Sequence, residues 1–208
     1  MSKKILHIDS SARFTDSESR NLSTAFINQW KTKHPGDEVI VRDIVSNPLP
    51  HLDEAMLGAL FTPSENRTPE QQITTERVDE LVDEFLAADV LVLGVPMYNF
   101  GIPSTLKSYI DHIAQAGRTF QYTENGPVGM AGGKTVYILS ARGGVYDNSP
   151  LDHQVSYLKT VFGFLGIDQV DDIQAEGLNM GPEVHDKALA SANLRITQVT
   201  EQSLAIAV

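Results

Sequence analysis

The chain has 208 residues, of which 41% are hydrophobic and 21% charged, and it contains no cysteine. That length suffices for one domain with its own core, and the missing thiols exclude a disulfide framework, a thiolate metal site and a cysteine nucleophile. Sixteen lysines and arginines against 27 aspartates and glutamates give a net charge of −11, which argues against nucleic acid and anionic membranes, since both call for a basic surface.

The first residues, MSKKILHIDSS, carry two lysines, but His7 and Asp9 break the apolar stretch. The segment reads as a first strand, Lys4–Asp9, and not as a signal peptide. A helix follows over Arg20–His34, stopped by Pro35-Gly36. Glu38–Ile44 is rich in β-branched residues and predicts a second strand. Asn47–Asn66 is irregular, with a short helix over Asp53–Leu60. Thr68-Pro69 opens a helix to about Ala87, with proline suited to its first turn. Asp89–Val95 is a buried strand, and Ser104–Ala116 is a helix ended by Gly117. Thr119–Gly133 reads as a loop, Lys134–Leu139 as a strand, Leu151–Leu165 as a helix and Gln169–Glu176 as a weaker strand. Glu183–Leu204 is the last helix.

Strands alternating with helices predict an α/β fold: a doubly wound, five-stranded parallel sheet with helices on both faces. Several strands are continuous apolar runs, as sheets covered on both sides require. No repeat, linker or apolar run of about 20 residues interrupts the pattern, so one domain over 1–208 is expected, with no membrane span. The cysteine-free, acidic composition suits the cytoplasm.

Ligands of such sheets bind beyond the carboxyl ends of the strands, where the strand order reverses. Three loops there are chemically unusual. Ser10–Ser23 gathers Ser11, Ser17 and Ser19 at a helix start, where free N–H groups and the helix dipole favour a phosphate; helix capping accounts for one serine or Asp16, not for all of them. It is neither GxxxxGK[ST] nor GxGxxG. Pro96–Ser104 places Met97, Tyr98, Asn99 and Phe100 after a strand, which suits a flat heteroaromatic ligand or simple packing. Ser140–Tyr146 contains Arg142, Gly143 and Gly144, which offer positive charge and adjacent backbone N–H groups, or a turn and a surface ion pair. A phosphate cradle, a flat-ring loop and a polar backbone edge together describe a flavin mononucleotide. His7, His51, His112, His153 and His185 lack metal-ligand spacing, and no hydrolytic triad is visible.

The chain resembles the FMN-dependent NADH-azoreductases, flavodoxin-like quinone and azo-dye reductases, essentially end to end. The resemblance rests on PMYNFGIPSTLKSYID (96–111), GRTFQYTENGPVG (117–129), SARGG (140–144), NPLP (47–50), GFLGI (163–167) and AEGLNMGPE (175–183). It implies an FMN phosphate on Ser11, Ser17, Glu18 and Ser19. It implies the ring against Met97, Tyr98, Asn99 and Phe100, and the pyrimidine edge against the Ser140, Arg142, Gly143 and Gly144 segment. Tyr122 and Phe164 would line the substrate side. Related sequences often read SRGG; here Ala141 precedes Arg142, so a hydroxyl is lost, and Phe61 stands where some relatives have arginine. The resemblance also implies a homodimer with sites at its interface, NADH as donor, and quinones and azo compounds as acceptors. No side chain is expected to act as a nucleophile, because FMN carries the chemistry. The alternatives are a non-enzymatic flavodoxin-like electron carrier, a ligand-sensing module and an NADPH-preferring quinone reductase.

Overall fold

A computed structural model of the chain describes residues 2–147 and 149–205. In chain order the elements are β1 (Lys4–Asp9), α1 (Glu18–Lys33), β2 (Glu38–Asp43), α2 (Glu54–Phe61), a 3₁₀ turn (Ser64–Asn66), α3 (Pro69–Ala87), β3 (Val90–Pro96), α4 (Ser104–Ile113), β4 (Phe120–Thr123), β5 (Gly126–Gly129), β6 (Thr135–Ala141), α5 (Val155–Phe164), β7 (Gln169–Ala175) and α6 (Pro182–Ala205). Five strands form one parallel sheet in the order β2-β1-β3-β6-β7. The order reverses between β1 and β3, which places the loops after them side by side.

Period-two alternation splits the strand residues between two cores. Ile5, Val90, Val92, Tyr137 and Leu139 pack against Phe26, Trp30 and Ile196 of α1 and α6. Leu6, Leu91, Leu93, Val136 and Ile138 pack against Leu81, Phe85, Leu106, Tyr109 and Leu158 of α3, α4 and α5.

The expected helix starts have visible causes. Thr68 and Gln71 form a capping box at α3, and Asp53 caps α2 through the Met56 N–H. Helix α5 starts at Val155, later than the Leu151 expected, because Asp152 turns back and accepts from the Gln154 and Val155 N–H groups. Helix α4 ends at Ile113, short of Ala116. The segment expected to be a loop over Thr119–Gly133 contains the antiparallel hairpin β4–β5. The hairpin seats on the end of α5: a Cβ on Gly129 would lie 2.1 Å from the Gly166 nitrogen, so only glycine permits that approach.

Candidate cofactor site at the carboxyl ends of β1, β3 and β6

The first loop runs from β1 into α1. Ser17 caps the helix, and its hydroxyl lies 3.3 Å from that of Ser19; Ser11, Ser17 and Ser19 are all buried. As the first helical residues, Glu18 and Ser19 have no acceptor for their N–H groups inside the helix. Arg20 fixes the loop's path. Its Nε and Nη2 donate to the Ser11 carbonyl at 3.3 and 2.8 Å, and its Nη1 donates to Asp43 at 2.8 Å and stands 3.5 Å from Asp9. Burial pushes the Asp43 carboxyl up, but the Arg20 guanidinium and the Ser46 and Val45 N–H groups outweigh it and hold Asp43 well below the usual carboxylate range. Gly94 in β3 admits the first turn of α1: a Cβ there would meet Asp9 Oδ1 at 2.7 Å and the Ser19 carbonyl at 2.9 Å.

The second loop is a two-residue hairpin turn. The Tyr98 and Gly101 N–H groups each donate to the other's carbonyl at 3.0 Å, and Asn99 and Phe100 between them have φ of 49° and 69°. This is the left-handed pattern of a type I′ turn. Asparagine tolerates it, whereas phenylalanine in that region costs about 1–2 kcal/mol. Strain of this kind collects at binding sites. Three bonds pin the turn: Met97 N–H to the Ala141 carbonyl at 2.9 Å, His153 N–H to the Phe100 carbonyl at 3.1 Å, and Ala12 N–H to the Tyr98 hydroxyl at 3.2 Å. Asn99 and Phe100 are left exposed, with Phe100 edge-on to Tyr146 at 5.9 Å.

In the third loop the Gly143 and Gly144 carbonyls accept from the Asn179 and Gly177 N–H groups at 3.0 and 2.9 Å. Their own N–H groups donate to nothing among the described residues. A Cβ on Gly143 would press within 2.4 Å of the Asn179 amide.

Two of the expected residues, Arg142 and Ser140, have side chains engaged inside the protein. Arg142 is 1% exposed. Its Nε donates to Gln154 at 3.0 Å, its Nη1 to Glu176 at 2.8 Å, and its Nη2 stands 3.0 Å from Asp152. Its backbone N–H is taken by the Ala175 carbonyl. Ser140 is fully buried and donates to Asp172 at 2.9 Å. Both side chains turn toward β7 and the loop after it, so neither presents a polar group to the open edge. Burial pushes Asp172 up to about 6, against the pull of Ser140, Arg142 and Gln174.

Tyr122 and Phe164 do not join the three loops within one chain. Phe164 ends α5, just before the start of β7, at the opposite edge of the sheet. Phe120 bridges the two rings, 4.6 Å from Phe164 and 5.5 Å from Tyr122, and Tyr122 is 75% exposed. Sequence reasoning missed Gly94, Arg20 and Tyr146. A lone glycine inside VLVLGVP is the signal of close backbone approach that identifies the first.

The model of the flavodoxin-like fold family matches residues 3–199. The chain is 52% identical over 196 residues to FMN-dependent NADH:quinone oxidoreductase 2 of Pseudomonas fluorescens Pf-5, covering 94% of this chain and 98% of that protein. It is 50% identical to the FMN-dependent NADH:quinone oxidoreductase of Azotobacter vinelandii, with the same coverage. The chain belongs to this family. Solved structures agree: the azoreductase of Bacillus anthracis strain Sterne superposes with a TM-score of 0.89 at 31% identity, over 97% of this chain and all of that one. An FMN-dependent NADH-azoreductase of Bacillus anthracis strain Ames Ancestor in complex with FMN superposes with a TM-score of 0.87 at 29% identity, over 96% of this chain and 98% of that one. The donor set found here fits such a cofactor. Hydroxyls and helix N–H groups stand at one end, unpartnered glycine N–H groups at the other, and a pinned, exposed turn lies on the strand between them.

Proposed function

We propose that this protein is an FMN-dependent NADH:quinone oxidoreductase that also cleaves azo compounds to amines. One observation carries the reading in the structure: the Gly143 and Gly144 N–H groups have no partner among the described residues, at the same sheet edge as the strained Asn99-Phe100 turn and the serine-lined start of α1. Its family membership at half identity supplies the chemistry class.

When bound, FMN would supply the redox chemistry, two-electron transfer from NADH to a quinone, with two such rounds for an azo bond. Ser11, Ser17 and Ser19 would hold the phosphate by their hydroxyls, and Glu18 by its backbone N–H. Met97, Tyr98, Asn99 and Phe100 would support the ring and its edge. The Gly143 and Gly144 N–H groups would meet the pyrimidine edge and stabilise negative charge that develops there. No side chain is required as a nucleophile.

The reading includes one domain over 1–208, a cytoplasmic location and a homodimer. Among the described residues no helix is long and apolar enough to cross a membrane. The exposed Tyr122 and Phe164 rings stand too far along the sheet to serve their own chain's site, and a second copy of the chain supplies them to it. Sedimentation of the holoprotein as a monomer, with full activity, would remove that role.

The test is the visible spectrum of the purified protein under anaerobic conditions, before and after NADH alone. A flavin band that NADH bleaches supports the oxidoreductase. A band that NADH leaves intact favours an electron carrier or a sensor. No band, even after FMN is added back, overturns the site.

A further inference from the structure

Glu18 sets an electrostatic problem for the phosphate cradle. It lies between Ser17 and Ser19 at the first position of α1, so it brings a carboxylate onto the short run of residues assigned to a phosphate. Its side chain accepts from Asn21 Nδ2, a neutral amide, at 3.3 Å. The counter-charge comes from the far end of the sequence. His185, in the first turn of α6, brings Nε2 to 3.3 Å from Glu18 Oε1, while its Nδ1 lies 3.2 Å from Asp186. Among the described residues the charged groups in contact with the ring are Glu18 from α1 and Asp186 from α6, both carboxylates.

We propose that His185 is a positioning residue for the cofactor phosphate: in its charged form it neutralises Glu18 and makes FMN retention depend on pH through the phosphate alone. The inference rests on the FMN reading above. The hydrogen bond to Asp186, and after it that to Glu18, raises the pKa of His185 above its ordinary 6.5. Below that pKa the imidazolium offsets one of the two carboxylates it touches and so weakens the negative field of Glu18. Above it Glu18 is uncompensated and opposes an incoming phosphate. A phosphate bound nearby favours the imidazolium further, so FMN binding takes up a proton in this window.

The experiment is titration of the apoprotein with FMN and with riboflavin, followed by flavin fluorescence, from about pH 6 to about pH 9, a range that spans the histidine transition. The free phosphate has its own ionisation near pH 6, so variants are read against wild type at each pH. His185→Gln should bind FMN about two- to fivefold more weakly than wild type at the acid end and equally at the alkaline end, the size expected of one exposed charge pair. Glu18→Gln should bind more tightly than wild type at the alkaline end. His185→Lys should keep the acid-end affinity throughout. Riboflavin, which lacks the phosphate, should show none of these differences.

Wild type and His185→Gln profiles that superimpose for FMN overturn the inference and leave the cofactor reading intact. Equal effects on riboflavin also overturn it, since they assign His185 to the fold. A wild-type protein that binds riboflavin and FMN at no pH overturns both.

Discussion

The Tyr98 hydroxyl stands 3.4 Å from Ser11 Oγ and accepts the Ala12 N–H at 3.2 Å. One side chain from the loop after β3 thus fixes the loop after β1, and the proposed ring and phosphate sites are held as a unit. Tyr98→Phe keeps the ring and removes both contacts. One hydrogen bond is worth about 0.5–1.5 kcal/mol, so the apoprotein should lose about that much stability, and FMN should bind up to about tenfold more weakly because the two loops are no longer held in register. Titration of the apoprotein with FMN checks this; an unchanged affinity would separate the two loops.

Phe100 tests the strain in the turn. At a φ of 69° a side chain is penalised and glycine is not. Phe100→Ala and Phe100→Gly both lose the edge contact with Tyr146, so their difference reports the backbone alone. Phe100→Gly should be more stable than Phe100→Ala by about 1 kcal/mol in urea denaturation, the reverse of the usual preference. Equal stabilities would mean that the turn relaxes.

How much of this was legible in the sequence follows from which interactions are local. The parallel strands announced themselves as apolar runs because both faces are covered, and α3 announced itself because Thr68, Pro69 and Gln71 build its start within four positions. The serine cradle and the MYNF turn were visible as clusters of unusual residues at strand ends. The hairpin over Phe120–Gly129 was not, since Phe120 is its one buried hydrophobic position and its seat is the Leu165-Gly166 backbone. The fate of Arg142 was hidden for the same reason. SARGG looks like a surface turn until Asp152, Asp172 and Glu176, distant in sequence, close around the guanidinium.

Arg142 faces all three carboxylates, with Glu176 and Asp152 at 2.8 and 3.0 Å and Asp172 at 4.0 Å. Breaking a buried ion pair by removing one partner costs about 3–5 kcal/mol. Arg142→Met should therefore lower apoprotein stability by that order. It should also loosen the Gly143-Gly144 loop, because Glu176 holds the Tyr146 N–H at 2.9 Å. Urea denaturation and amide exchange at Gly143 and Gly144 check the two effects; a near-neutral change in both would assign the guanidinium no structural role.

Asp172 gives the same cluster a pH dependence. Burial raises its pKa to about 6 from an ordinary 3.8, so between these values the folded protein holds a proton that the unfolded chain has lost. Stability from this group is complete below 3.8, falls as pH rises toward 6, and levels off above it. Asp172→Asn removes the ionisation. Ser140 and Gln174 both donate to Asp172, and an amide, like the neutral acid that it replaces below about pH 6, has one strong acceptor oxygen. The variant should therefore gain on wild type by on the order of 2 kcal/mol as pH rises from 4 to 7. Apoprotein unfolding followed across that range reads the difference directly. A constant gap between the two proteins would place the Asp172 proton elsewhere in the cluster.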